Sequence, residues 1–300
     1  MPRFAFSSNA FKKTDLSEAA RQIAGAGYGG IEIMADVPHA YPPTFSPADR
    51  YRLKELLAQL HLEVSNVNAF TLFARGDTYH PTWIEPGAAD RQVRIDHTID
   101  ALKLAADFSA KTLSIQPGGP MIGTGLTFEQ AGQRFADALD VVLPAARDLG
   151  VVIAIEPEPG LLIQNVEEFE RFKQQYYAAE PHIAMNCDLG HLYCVGDDPV
   201  SVIERYSHHI AHVHLEDIGA NHVHQHLPLG QGAMNIPAIL QALDKAGYEG
   251  WITVELYPYV ATAGEVAREA MQYLRMLPGD PTSRERPRKC WRETSEFCEL

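Results

Sequence analysis

The sequence predicts an α/β protein: a single-domain (β/α)8 TIM barrel over residues 1–277, with a short C-terminal tail at 278–300. Two observations lead there. Eight short apolar runs of strand character alternate with eight helix-like amphipathic stretches, which implies a parallel sheet with helices outside it. Helix-like stretches also end in glycine just before the next strand, at Ala26-Gly27-Tyr28, Leu149-Gly150-Val151 and Ala246-Gly247-Tyr248. That is the pattern of a helix C-cap feeding a strand. Eight such pairs fit a closed barrel. The alternative, a doubly wound open sheet, is weakened because no Gly-x-Gly-x-x-Gly follows the first strand.

In chain order, strand one is expected at 4–7, with a helix at 16–26 whose start carries a capping-box-like Thr14-Asp15 before Ser17-Glu18. Strand two spans 30–34, and its helix, 47–60, begins on Pro47, a favoured first-turn residue. Strand three spans 63–69 and opens into a long polar and aromatic loop, 70–87, before a helix at 91–108. Strand four, 112–116, runs into Pro117-Gly118-Gly119-Pro120 and a helix at 128–149. Strands five to eight are expected at 151–156, 183–188, 210–216 and 251–256, with helices at 166–177, 200–206, 236–246 and 264–277. From Pro278 the chain is charged, proline-punctuated and aperiodic, so 278–300 is read as a disordered tail, or else as an arm using Trp291 and Phe297 against a partner.

Composition excludes several functions. A formal charge of −14 is wrong for a nucleic-acid binder, which needs a basic face. No apolar run approaches the roughly 18 residues of a membrane span. The N-terminus starts directly on a strand-like pattern without a signal-peptide core, and the four cysteines show no Cys-x-x-Cys spacing. Reduced thiols in the cytoplasm are therefore expected.

The chemistry gathers at strand ends, which in a barrel form the active face. In 210–217 the side chains alternate, so His212, His214 and Glu216 share one face while Val213 and Leu215 take the other. Glu156, Asp188 and Glu255 end three neighbouring apolar runs. Together Glu156, Asp188, His214 and Glu255 offer three anionic oxygens and a nitrogen, a set suited to one divalent ion, Mn²⁺ first, with Mg²⁺, Co²⁺ or Zn²⁺ as alternatives. Without a cation they would repel or stay partly protonated.

These residues resemble the xylose-isomerase-like barrel superfamily, the sugar phosphate isomerase/epimerase group that also contains endonuclease IV-type enzymes. The likeness rests on Ile155-Glu156-Pro157, Cys187-Asp188-Leu189-Gly190-His191, His212-Val213-His214 and Val254-Glu255-Leu256. Gly30-Ile31-Glu32-Ile33 and Leu227-Pro228-Leu229-Gly230-Gln231-Gly232 add weaker support. The resemblance implies a metal-dependent isomerase or epimerase acting on a sugar, cyclitol or related hydroxy-ketone. It implies proton transfer by Glu156 and Glu255 through a metal-stabilised enediolate. His191, His226, Glu158, Asn68 and Gln116 are expected to hold the substrate, and Asn66 and Glu32 are further polar strand ends. Glu158 is alternatively a surface carboxylate, and Glu32 a group bonding backbone at the barrel mouth. Phe70, Phe73, Tyr79 and Trp83 are read either as a lid or as a seal between two copies of the chain, a homo-oligomer.

Two departures separate the chain from the ketohexose 3-epimerases of that group: Leu162 stands where they carry a second glutamate, and Ala220 where they carry an arginine. The alternative reaction is that of a dehydratase or lyase resembling inosose dehydratase, which expels a hydroxyl from the same enediolate. His191, His224 and His226 are candidates for a second ion, in the manner of endonuclease IV-type members. Those members also need histidines at the ends of strands three and four, where this chain has Asn66, Asn68 and Gln116. A non-catalytic barrel with a structural ion is the remaining reading.

Overall fold

The computed structural model describes residues 2–277. The expected tail, 278–300, lies outside the described residues. Eight parallel strands close into a barrel in sequence order: β1 Arg3–Ser7, β2 Gly30–Met34, β3 Glu63–Asn68, β4 Thr112–Ile115, β5 Val152–Ile155, β6 Ile183–Asp188, β7 Ile210–Leu215 and β8 Trp251–Val254. β8 returns to β1 with Arg3 opposite Trp251 and Phe6 opposite Val254.

The helices between them are α1 Leu16–Ala26, α2 Pro47–Leu60, α3 Ala88–Asp107, α4 Phe128–Leu149, α5 Val166–Tyr176, α6 Leu189–Cys194, α7 Pro199–Tyr206, α8 Ile236–Lys245 and α9 Ala263–Met276. Asp15 caps α1 by accepting from the Glu18 amide, as its sequence suggests, and Ser46 with Asp49 closes a full capping box on α2. Gly27 and Gly150 end α1 and α4 at φ 96° and 65°, the left-handed region their place in the sequence foretells. α8 stops at Lys245, one residue before its expected end, and Gly247 follows its cap. The short α6, beginning directly after β6, has no counterpart in the sequence expectation.

The apolar core lies between strands and helices, where Phe6, Ile31, Val67, Leu113, Ile153, Val213 and Val254 meet residues such as Ile23, Leu102 and Leu139. The barrel interior is instead polar. Ser7, Glu32, Asn66, Ser114, Asn186, His212, His214 and Thr253 are all essentially inaccessible. Buried polar groups are tolerated only when hydrogen-bonded. Many of them bond one another across the barrel: Asn66 donates to Glu32 and Ser114 at 2.8 Å each, and Ser65 meets Thr253 at 3.2 Å, while His212 Nε2 and Asn186 Oδ1 have no hydrogen-bond partner. This network ends at the C-terminal mouth of the barrel. Among the described residues no helix is long and apolar enough to cross a membrane.

Candidate metal centre and cavity

The register of the last strands brings the ligand candidates together. Asp188 lies opposite His214 on β6 and β7, and His214 lies opposite Thr253, two residues before Glu255. Nδ1 of His214 stands 3.3 Å from Glu156 Oε1, 3.6 Å from Glu255 Oε1 and 3.7 Å from Asp188 Oδ2. The four ligand atoms all lie within 4.8 Å of one another, and all four residues are buried. Ligand atoms about 2.1 Å from a shared ion sit roughly 3–3.5 Å apart in tetrahedral or octahedral arrangement. The spacing here is close to that, so the donor set fits a divalent cation.

Each ligand is held from behind. A carboxylate only accepts, so the 2.7 Å contact between His214 Nε2 and Glu32 Oε2 places the proton on Nε2 and turns the Nδ1 lone pair toward the cluster. Glu32 in turn accepts from Ser7 at 2.6 Å. Asn186 donates to Glu156 Oε2 at 2.9 Å, and Asn9 to Glu255 Oε1 at 2.7 Å. Asp188 caps α6, its Oδ1 accepting the His191 amide at 2.8 Å, while its buried Oδ2 has no protein partner. An orphaned buried carboxylate oxygen costs free energy unless something charged meets it.

The electrostatics agree. Burial, only partly opposed by His214, pushes Glu156 and Glu255 up, Glu255 far above the ordinary carboxylate range. Burial would lower His214, but Glu32, Glu255 and Glu156 outweigh it and hold the imidazole well above its usual value, so a proton competes with a cation for Nδ1. Three carboxyl groups crowded around one imidazole are short of positive charge, and a dication would supply it.

Above the cluster opens a cavity of about 410 Å³ reached by Glu156, Glu255, Glu158, His191 and His224. Its other walls come from Asn9, Lys12, Asn68, Phe70, Phe73, Tyr79 and Tyr257. Glu158 is pushed up to about 8 by burial and accepts from the Tyr79 hydroxyl at 2.8 Å.

Residues 20–277 match the xylose isomerase-like TIM barrel family. The chain belongs to that family. Inosose dehydratase of Clostridium beijerinckii is 25% identical over 288 residues, covering 89% of this chain and 91% of that one. Inosose dehydratase of Lacticaseibacillus casei is 26% identical over 302 residues, covering 91% and 93%. Among solved structures, the IOLI protein with a binding zinc atom is 17% identical with a TM-score of 0.74, covering 91% of this chain and 96% of that one. The 3-keto-D-glucoside 4-epimerase of E. coli is 17% identical with a TM-score of 0.75, covering 92% and 100%.

Within this xylose isomerase-like barrel, the sequence expectations separate. Glu158, Asn68 and His191 line the cavity, although the Asn68 side chain is already engaged by Glu32 at 3.3 Å and the Phe70 amide at 3.0 Å. Gln116 does not reach the cavity. Its amide donates to the carbonyls of Phe70 and Tyr79 at 3.3 and 3.1 Å, so it straps the third loop down. Asn66 lies deeper, bonded to Glu32 and Ser114. Trp83 is no part of a lid: it is fully buried against Phe135, ring centroids 5.4 Å apart. Phe70, Phe73 and Tyr79 do wall the cavity.

His226 is fully buried behind His224 rather than on the cavity wall, its Nδ1 donating to the Glu255 carbonyl at 2.9 Å. His191 likewise gives its Nδ1 proton to the Pro157 carbonyl at 3.1 Å. Both rings therefore keep an Nε2 lone pair, and with His224 they form a second cluster able to hold an ion. Glu216 is inaccessible with neither oxygen partnered, and a Cβ on Gly190 would lie 1.8 Å from its Oε1. Any larger residue in place of the glycine of Asp-Leu-Gly-His would therefore have to displace the buried Glu216 carboxylate and the Ile218 side chain.

Sequence reasoning missed Asn9, Lys12, Asn186 and Tyr257. For Asn186 a signal existed, because it shares a strand face with Asp188 two residues on.

Proposed function

We propose that this chain, residues up to 277 acting as one catalytic domain, is a divalent-metal-dependent enzyme. It would remove a proton beside the carbonyl of a sugar or cyclitol ketone and complete the reaction by expelling water. The convergence of Glu156, Asp188, His214 Nδ1 and Glu255 beneath a polar, aromatic-walled cavity carries this reading. An ion held by those four, Mn²⁺ by preference and Mg²⁺, Co²⁺ or Zn²⁺ by the same donor chemistry, would polarise the carbonyl and offset the charge developing on substrate oxygen. One of Glu156 and Glu255, which follow β5 and β8 and both reach the cavity, takes the proton from carbon. Glu158, outside the ion-binding four and steadied by Tyr79, gives a proton to the departing hydroxyl. The C–H electron pair becomes the new double bond and the C–O pair leaves with oxygen as water, so no oxidant is needed. The named relatives, inosose dehydratases matched over about nine-tenths of both chains, favour this completion.

A second reading keeps the same proton abstraction. With carboxylates on both β5 and β8 sides, a proton taken by one and returned by the other makes the chain an isomerase or epimerase. His191 and His224 then hold substrate hydroxyls in either case. We place the enzyme in the cytoplasm, in keeping with the free thiols of Cys187 and Cys194.

The test is proton–deuterium exchange followed by NMR across ketoses and inososes with Mn²⁺ present. An unsaturated product supports dehydration, and deuterium wash-in with an inverted or shifted carbonyl supports isomerisation. Absence of both across the panel would leave a non-catalytic metal-binding barrel.

A further inference from the structure

The 3-10 turn Ser8–Phe11 after β1, capped by Lys12, contributes Asn9 and Lys12 to the cavity. Among the described residues lining it, Lys12 is the one lysine or arginine, facing a wall that carries three glutamates. The ammonium is half-buried, 5.4 Å from the Phe73 ring centroid and 6.0 Å from that of Tyr257. Only the more distant charges of Glu255 and Asp36 act on it, and no described residue accepts a hydrogen bond from it. The two rings attract the cation but accept none of its hydrogen bonds, so its donors face the cavity unspent.

Asn9 carries the matching signal. Its amide nitrogen is committed to Glu255 at 2.7 Å, which leaves Oδ1 as a buried acceptor without a partner. One short turn thus offers the cavity a free donor and a free acceptor, flanked by aromatic rings.

We propose that Lys12 and Asn9 form the hydroxyl-reading edge of the cavity, selecting neutral polyhydroxylated ketones by a hydroxyl that the ion does not hold. A hydroxyl both donates and accepts, so it answers both residues. A carboxylate could satisfy Lys12 but not Asn9 Oδ1, because it has no proton to give. The inference deepens the ketone-substrate reading and rests on it.

The experiment compares Lys12→Met and Lys12→Arg with the Mn²⁺-loaded parent protein on an inosose and its monodeoxy analogues. Deuterium exchange and calorimetric binding are read in parallel. A hydrogen bond to a charged group is worth on the order of tenfold to a hundredfold. The parent should prefer the fully hydroxylated ketone over one deoxy analogue by about that factor, chiefly in KM. Lys12→Met should erase the preference, and Lys12→Arg should restore part of it. Unchanged Mn²⁺ affinity and melting temperature verify that both variants are folded. Retention of the preference by Lys12→Met overturns the proposal, as does a tighter grip on a carboxylated analogue that Lys12→Met abolishes. Binding without exchange would sink the reaction reading while the affinities still judge Lys12. No binding of any ketone by the parent overturns both.

Discussion

Glu32 on β2 and His214 on β7 meet across the barrel interior at 2.7 Å, both completely buried. The contact fixes which imidazole nitrogen faces Glu156, Asp188 and Glu255. Partners of this kind usually change metal affinity ten- to a hundredfold, and Glu32→Gln, which can present an amide nitrogen instead of an acceptor, should lie in that range. Competition with a fluorescent chelator measures it. An unaltered affinity would show that His214 needs no such support.

Removing and restoring the ion should be felt by the whole fold. The three buried ligand carboxylates are left facing one another without a dication. At about a hundred times its Kd, added Mn²⁺ should stabilise the protein by roughly 2.7 kcal/mol, several degrees in melting temperature. Elemental analysis should find one ion per chain. Two would assign the second to His191, His224 and His226, whereas no melting shift with any divalent ion would refute the centre.

Arg94 on α3 governs the cavity wall from a distance. Fully buried, it donates to the carbonyls of Pro81, Phe70, Ala69 and Tyr79 at 2.8 to 3.4 Å, which pins the loop bearing Phe70, Phe73 and Tyr79. Lysine keeps the charge but lacks the planar fork. Arg94→Lys should therefore cost about 1.5–3 kcal/mol by urea unfolding. It should also speed amide exchange across 70–83 and raise KM more than it lowers kcat. Exchange unchanged in that loop would disprove the pinning.

His97, one turn further on, makes folding acid-sensitive. Burial, aided by the Arg94 guanidinium, pushes it down to about 3, and neither ring nitrogen has a partner. The unfolded chain takes up this proton near pH ~6.5 and the folded chain does not. Stability is therefore intact above about 6.5 and falls as pH drops toward about 3, by up to ~1.4 kcal/mol per unit from this group. Between about pH 7.5 and 5.5, His97→Leu should lose roughly 1 kcal/mol less than the parent in urea unfolding. Equal losses would mean that His97 is charged in the folded state.

The strands were readable because each is a short apolar run closed by a glycine or a turn, and a parallel sheet buried on its outer face leaves that imprint. That Glu156, Asp188, His214 and Glu255 come together was readable for a related reason: each ends such a run or lies beside its end, and a closed parallel barrel brings those ends to one mouth. Glu32 was harder. Its neighbours in sequence suggest a backbone contact at the mouth, whereas its partner lies 182 positions away on the far side of the barrel. Gln116 and Trp83 were misplaced because a side chain's aim depends on how the third loop folds back, which Arg94 decides from another helix. Lys12 gave no warning, since a lysine after a strand is ordinarily a solvated one.

The two halves of the barrel contribute differently to this site. Every residue proposed to hold the ion issues from β5 to β8, while Asn9, Lys12, Phe70, Phe73 and Tyr79 arrive from the segments after β1 and β3. Much of the cavity wall therefore comes from a different stretch of the gene than the proposed ion-holding set, with His191, His224 and Tyr257 as the C-terminal half's own share of that wall. Exchanging the N-terminal half among relatives could retune which ketone is accepted without rebuilding the chemistry, on two conditions. The incoming half must bring a glutamate at the Glu32 position and an asparagine at the Asn9 position, because those are the struts on which His214 and Glu255 lean.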